Sequence, residues 1–214
     1  MKKKKIISFY AIGVLLLLVL SFIGNIRRNI IDLKLYLNRS FNTKLIEKEK
    51  IILGNSLIYP TCFFPDSNIK KYSFPGETIG GITEWIKIND LSKVKTLHIW
   101  VGLNNILNGY SQKALEIETQ KLLMEISAYK MKVVFWSVPH ITIEEDGFFV
   151  KKEESNNSIN TFNHYLAIIA NENNFEYMEV NRVLGLNSIY REPDGVHLNC
   201  TAFNKLEEKF LVSE

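Results

Sequence analysis

From Lys50 to Val212, short apolar runs alternate with segments whose apolar residues recur at helical spacing. That alternation constrains the fold more than any other feature, because strands separated by helices need crossover connections and therefore pair in parallel. The runs predict strands at Lys50–Leu53, Ile69–Phe74, Val94–Val101, Lys132–Val138 and Phe175–Val180, the second a candidate edge strand. The spacing predicts helices at Gly80–Ile88, Gln112–Tyr129, Asn157–Asn171 and Thr201–Val212. The expected class is α/β, with a mostly parallel five-stranded sheet covered on both faces. In such sheets ligands bind beyond the carboxyl ends of the strands. Ser56, Gly76 and Asn104 all fall just past predicted strand ends. The segment Ile141–Glu154 reads as a mobile loop over the same edge.

Two short stretches carry the candidate chemistry. Gly54-Asn55-Ser56 ends the first strand, and Asp194-Gly195-Val196-His197 lies near the C-terminus. A serine hydroxyl is a weak nucleophile at neutral pH unless a base lies within about 2.6–3.2 Å. His197 can be that base and Asp194 the carboxylate that orients it. Gly76 can offer a backbone N–H, and Asn104 a side-chain amide, where an oxyanion develops. Each piece also has an ordinary reading: a turn serine or helix cap at Ser56, a Pro-Gly turn at Gly76, a helix cap at Asn104 and a surface turn at Asp194. His98 lies inside a predicted core strand, His140 at a strand end and His164 on a helix, without metal-ligand spacing, so no metal site or cofactor is expected. Trp100 and Trp136 read as core, and His140 as a candidate pocket residue.

The four blocks, taken in order, resemble the SGNH hydrolases, also called the GDSL esterase/lipase family. The matching residues are Gly54-Asn55-Ser56, Gly76-Glu77-Thr78, Gly102-Leu103-Asn104-Asn105 and Asp194-Gly195-Val196-His197. Phe162-Asn163-His164-Tyr165-Leu166 and the strand from Phe175 look like the family's penultimate helix and last strand. The resemblance covers residues 49 to 212 and implies a three-layer α/β/α sandwich, flavodoxin-like in outline. It implies that Ser56 is the nucleophile, His197 the general base and acid, and Asp194 its orienter. The backbone N–H groups of Ser56 and Gly76, with the Asn104 side chain, are the implied oxyanion hole. Asn55 and Asn105 stand where the family has aspartates, and neither position belongs to the implied triad or oxyanion hole.

The other regions bound location and partners. Lys2 to Lys5 precede an uncharged apolar run from Ile6 to Ile23, and Arg27-Arg28 closes it. That run is near the short end of the roughly 17–25 residues that span a bilayer. Ser21-Phe22-Ile23-Gly24 offers no clean cleavage site, which favours a signal anchor over its rival, a cleaved signal peptide. The expected organisation is an N-terminal transmembrane helix at residues 1–24, a juxtamembrane helix or linker at 25–48 and the hydrolase-like domain at 49–214 outside the cytoplasm. With 26 basic against 23 acidic residues the net charge is +3, too mild to suggest nucleic acid. Cys62 and Cys200 are the only cysteines; two buried free thiols are the expectation and a bridge the alternative.

The leading function is a serine esterase removing a short acyl group, such as acetyl, from an envelope or capsule glycan. An O-acyltransferase using the same triad is the first alternative, and a lipid esterase follows it. A catalytically silent, membrane-tethered binding protein is the reading from another class. Candidate partners are therefore an acylated small molecule, glycan or lipid, and a membrane at the N-terminus.

Overall fold

Parallel strands buried on both faces must be largely apolar. The central run Thr96–Trp100 is buried throughout, whereas the edge runs Ile69–Ser73 and Glu176–Met178 each carry an exposed charged residue, Lys70 and Glu176. The computed structural model describes residues 46, 49–60, 62, 69–142 and 151–210. These lie within one compact unit, Leu45–Glu214. The strands are β1 (Lys50–Gly54), β2 (Ile69–Ser73), β3 (Thr96–Trp100), β4 (Lys132–Trp136) and β5 (Glu176–Met178). All pair in parallel in the order β2-β1-β3-β4-β5, with β2 at an edge. Every residue of β3 is buried, so both faces of the sheet are covered.

The helices are α1 (Ile79–Lys87), α2 (Leu103–Leu107), α3 (Gln112–Ile126), α4 (Lys152–Glu172), α5 (Val180–Leu184) and α6 (Cys200–Phe210). α1 packs on α3 and α3 on α4, whereas α6 packs on α5. Right-handed crossovers account for the division, since the connections from β2 onward all step the same way across the sheet. The aromatic core is knit by Trp100 stacked on Trp136 at 5.0 Å, with Phe203 of α6 edge-on to Trp100 at 6.5 Å.

The strand order reverses direction between β1 and β3, which opens a crevice at their carboxyl ends. Ser56 follows β1, and Gly102 and Asn104 follow β3. Two glycines permit this close approach. A Cβ on Gly54 would lie 2.3 Å from the Trp100 carbonyl oxygen of the paired strand. Gly102 has φ +108°, and a Cβ there would lie 2.3 Å from Phe162 Cε1.

Three expectations need correction. α4 begins at Lys152, five residues before the predicted start, so residues 152–154 are helix rather than loop. Its opening turns are polar and lack an apolar stripe, while Glu153 and Glu154 suit the positive end of the helix dipole. Cys62 and Cys200 are bonded to each other, not free, with Cα atoms 5.6 Å apart. Cys200 is also exposed rather than buried. A sequence separation of 138 conceals a meeting that only the packing of α6 beside the β1 exit creates. The anchor at residues 1–24, all of the linker at 25–48 except residue 46, and residues 143–150 with Phe148-Phe149 lie outside the described residues. Among the described residues no helix is long and apolar enough to cross a membrane.

Candidate active site

The loop that carries His197 is built around one carboxylate. Asp194 Oδ1 accepts the backbone N–H groups of Val196 at 2.8 Å and His197 at 2.9 Å. Its Oδ2 lies 2.5 Å from His197 Nδ1. Gly195 between them has φ +68°, a left-handed conformation that glycine adopts without strain. This is the physical content of the Asp-Gly-x-His spacing: the chain wraps the carboxylate and brings its own imidazole back onto it. Burial pushes the Asp194 pKa up, but the hydrogen bonds from His197 and the backbone outweigh that and hold it below the ordinary value. An ionised carboxylate only accepts, so His197 Nδ1 carries the proton and Nε2 is left as an acceptor. Ser56 Oγ lies 2.8 Å from that Nε2 and donates to it.

The loop is closed and anchored. Glu192 N–H donates to the His197 carbonyl at 2.8 Å, and Arg191 pairs with Leu198 in an antiparallel bridge. Thr142 N–H donates to the Gly195 carbonyl at 2.8 Å. Arg191, 5% exposed, donates from Nε at 3.1 Å and Nη2 at 2.9 Å to the His140 carbonyl. Burial lowers its pKa to about 10. Nothing in Ile-Tyr-Arg-Glu-Pro marks this arginine as buried, and the sequence reading missed it.

Ser56 opens a 3-10 turn, Ser56–Ile58, capped by Asn55, whose Oδ1 accepts Leu57 N–H at 3.0 Å. Asn55 is fully buried, and among the described residues its Nδ2 has no hydrogen-bond partner. Gly76 sits in an exposed turn with φ +79°. Among the described residues, neither Ser56 N–H nor Gly76 N–H donates a hydrogen bond. Asn104 Nδ2 gives one hydrogen to the Glu77 carbonyl at 2.9 Å, which fixes the amide and leaves its second N–H to donate.

The surroundings of Asn105 account for an amide rather than a carboxylate at this position. Its Oδ1 accepts Ile79 N–H at 3.0 Å, and its Nδ2 donates to Glu118 Oε2 at 2.7 Å. Glu118 Oε2 also accepts Gly80 N–H at 3.2 Å. The carboxylate thus comes from α3 and the amide from position 105. An aspartate at 105 would press two carboxylates together. Asn105→Asp is expected to destabilise the fold by about 2–3 kcal/mol, the scale of a lost charged hydrogen bond. Adding Glu118→Gln is expected to restore more than half of that loss, as read from urea denaturation midpoints. Glu118 carries no local sequence signal, and the sequence reading passed over it.

The other histidines stand apart from this arrangement. His98 Nδ1 accepts the Trp136 indole N–H at 3.1 Å in the core. His140 and His164 line a concavity of about 290 Å³ with Asn160, Tyr177 and Asn181, which none of Ser56, Asp194 or His197 touches.

No family model matches the chain. Solved structures with the same fold include a lipolytic protein of the G-D-S-L family from Veillonella parvula. It has a TM-score of 0.63 and 17% identity, over 77% of this chain and 98% of that one. A GDSL-like lipase from Bacteroides thetaiotaomicron follows with TM-score 0.66 and 16% identity, over 82% and 92%. A catalytic mutant of an acetylxylan esterase from Geobacillus stearothermophilus has TM-score 0.60 and 14% identity, over 79% and 95%. The fold is that of the GDSL lipolytic hydrolases. Among curated sequences, an N-acylneuraminate cytidylyltransferase of Streptococcus agalactiae is 25% identical over 176 residues, 81% of this chain. The chain spans about 40% of that relative's length.

Proposed function

We propose that this chain is a serine ester hydrolase that works through an acyl-Ser56 intermediate. The observation that carries the reading is the continuous line Asp194–His197–Ser56, at 2.5 Å and 2.8 Å, at the sheet's switch point. Ser56 Oγ attacks the ester carbonyl carbon while its proton passes to His197 Nε2. The oxyanion is taken by the N–H groups of Ser56 and Gly76 and the second N–H of Asn104. His197 returns its proton to the departing alkoxide. A water then attacks the acyl carbon with His197 as base, and Ser56 leaves with its proton restored. Asp194, held ionised, steadies the imidazolium at each stage.

A short acyl group on a sugar is the substrate class this reading favours. Two similarities support it: one neighbour of the same fold is an acetylxylan esterase, and the curated relative is named for an N-acylated sugar acid. We place the domain outside the cytoplasm on the Cys62–Cys200 bond, which suits an oxidising compartment, and on the apolar run Ile6 to Ile23.

Hydrolysis of p-nitrophenyl acetate by the full chain, beside Ser56→Ala, tests the proposal. Loss of turnover in the variant is expected, and equal rates would overturn the assignment. Asn104→Ala is expected to lower kcat by about 10²–10³-fold with the fold retained, the range for removing one oxyanion donor. A kcat within twofold of the parent would remove Asn104 from the oxyanion hole.

A further inference from the structure

The nucleophile and the base are anchored to different parts of the sheet. The Ser56 turn is tied toward β2, through Ser73 Oγ to the Asn55 carbonyl at 2.9 Å and Lys71 Nζ to the Pro60 carbonyl at 2.9 Å. The His197 loop is tied to the β4 exit, through Thr142 and Arg191 as described above. Among the described residues, the one hydrogen bond joining residues 55–60 to residues 191–200 is His197 to Ser56 itself. A single covalent link runs beside it. Cys62 lies six residues after Ser56, Cys200 lies three residues after His197, and the two are bonded.

We propose that the Cys62–Cys200 bond is a positioning crosslink, holding the His197 loop against the Ser56 turn so that esterase activity depends on the thiol redox state. The inference rests on the hydrolase reading above. A displacement of about 1 Å between reacting groups can cost on the order of 10²-fold in rate, and a single hydrogen bond, of small net worth in water, does not by itself prevent such drift. Cys62 packs partly buried against the core, whereas Cys200 is exposed at the start of α6, so a small reductant can reach the bond. A dithiol attacks one sulfur, and its second thiol then resolves the mixed disulfide. Two electrons and two protons pass to the protein, both cysteines become thiols, and the reagent closes into its own disulfide. Reoxidation reverses the change. α6 remains held by Phe203 on Trp100 and by its other buried residues, so the fold has support independent of the bond.

The test uses the full chain, with kcat and KM for p-nitrophenyl acetate measured before and after dithiothreitol and again after reoxidation. Near-ultraviolet circular dichroism follows the fold, and Cys62→Ser/Cys200→Ser is assayed alongside. Reduction is expected to lower kcat by about 10- to 100-fold with KM little changed and the dichroism retained. Reoxidation restores the wild type, while the double variant stays at the reduced level and ignores the dithiol. A kcat unchanged after both thiols are counted as free overturns the proposal. Activity and dichroism lost together, in the reduced protein and in the double variant, also overturns it, because the bond is then a stability staple. An oxidised chain with no Ser56-dependent turnover sinks the hydrolase reading itself, which separates that failure from a failure of the crosslink.

Discussion

His197→Ala is expected to lower kcat/KM for an activated ester by about 10⁴-fold or more while leaving the folded stability close to that of the parent. His197 is half-buried, and its side chain meets Asp194 and Ser56 rather than the core, so its removal takes chemistry more than packing. Among the described residues, His197 is the one side chain that hydrogen-bonds to Ser56 Oγ. Asp194→Asn should approach the same loss by another route. Its amide nitrogen would face His197 Nδ1 as a donor and push the proton to Nε2, the wrong side of the ring for accepting from Ser56. Paired steady-state kinetics and thermal melts would check both variants. A His197→Ala protein within tenfold of wild type would show that the hydroxyl is activated elsewhere.

Gly54→Ala carries the largest expected effect on the fold. Its Cβ would meet Trp100 O at 2.3 Å and Trp100 C at 3.2 Å, both backbone atoms of the strand paired with β1. A side chain could turn aside, but a backbone in mid-sheet cannot move without breaking the ladder. The expected cost is about 3 kcal/mol, at the upper end for overpacked cores, seen as a lower urea midpoint with the slope unchanged. Activity should fall as well, because the β1–β3 spacing sets where Ser56 stands. A midpoint unchanged by Gly54→Ala would mean that the strands separate at little cost.

What could be read from the sequence divides along physical lines. The inner strands β1, β3 and β4 were legible because a buried parallel strand is largely apolar, and the edge strands β2 and β5 from short runs that mix apolar with polar residues; all five predicted runs overlap an observed strand. α2, α5 and the 3-10 turns were not, since elements of three to five residues are too short to show a period. The start of α4 escaped for the opposite reason: its first turns are polar, so the apolar stripe begins at Ile159. At the site, Ser56, Asp194 and His197 were named from local spacing, and the structure brings them into one hydrogen-bonded line. Glu118 and Arg191 act through partners distant in the chain, Asn105 and His140, and such pairings leave no local trace. The Cys62–Cys200 bond is of the same kind.

Reaction with a fluorophosphonate followed by peptide mass mapping tests the central claim most directly, because the reagent reports which hydroxyl is activated. One label per chain on Ser56 is expected, together with loss of ester turnover in proportion to labelling and no label in Ser56→Ala. Stoichiometric labelling of a different residue, with turnover lost alongside, would contradict the account.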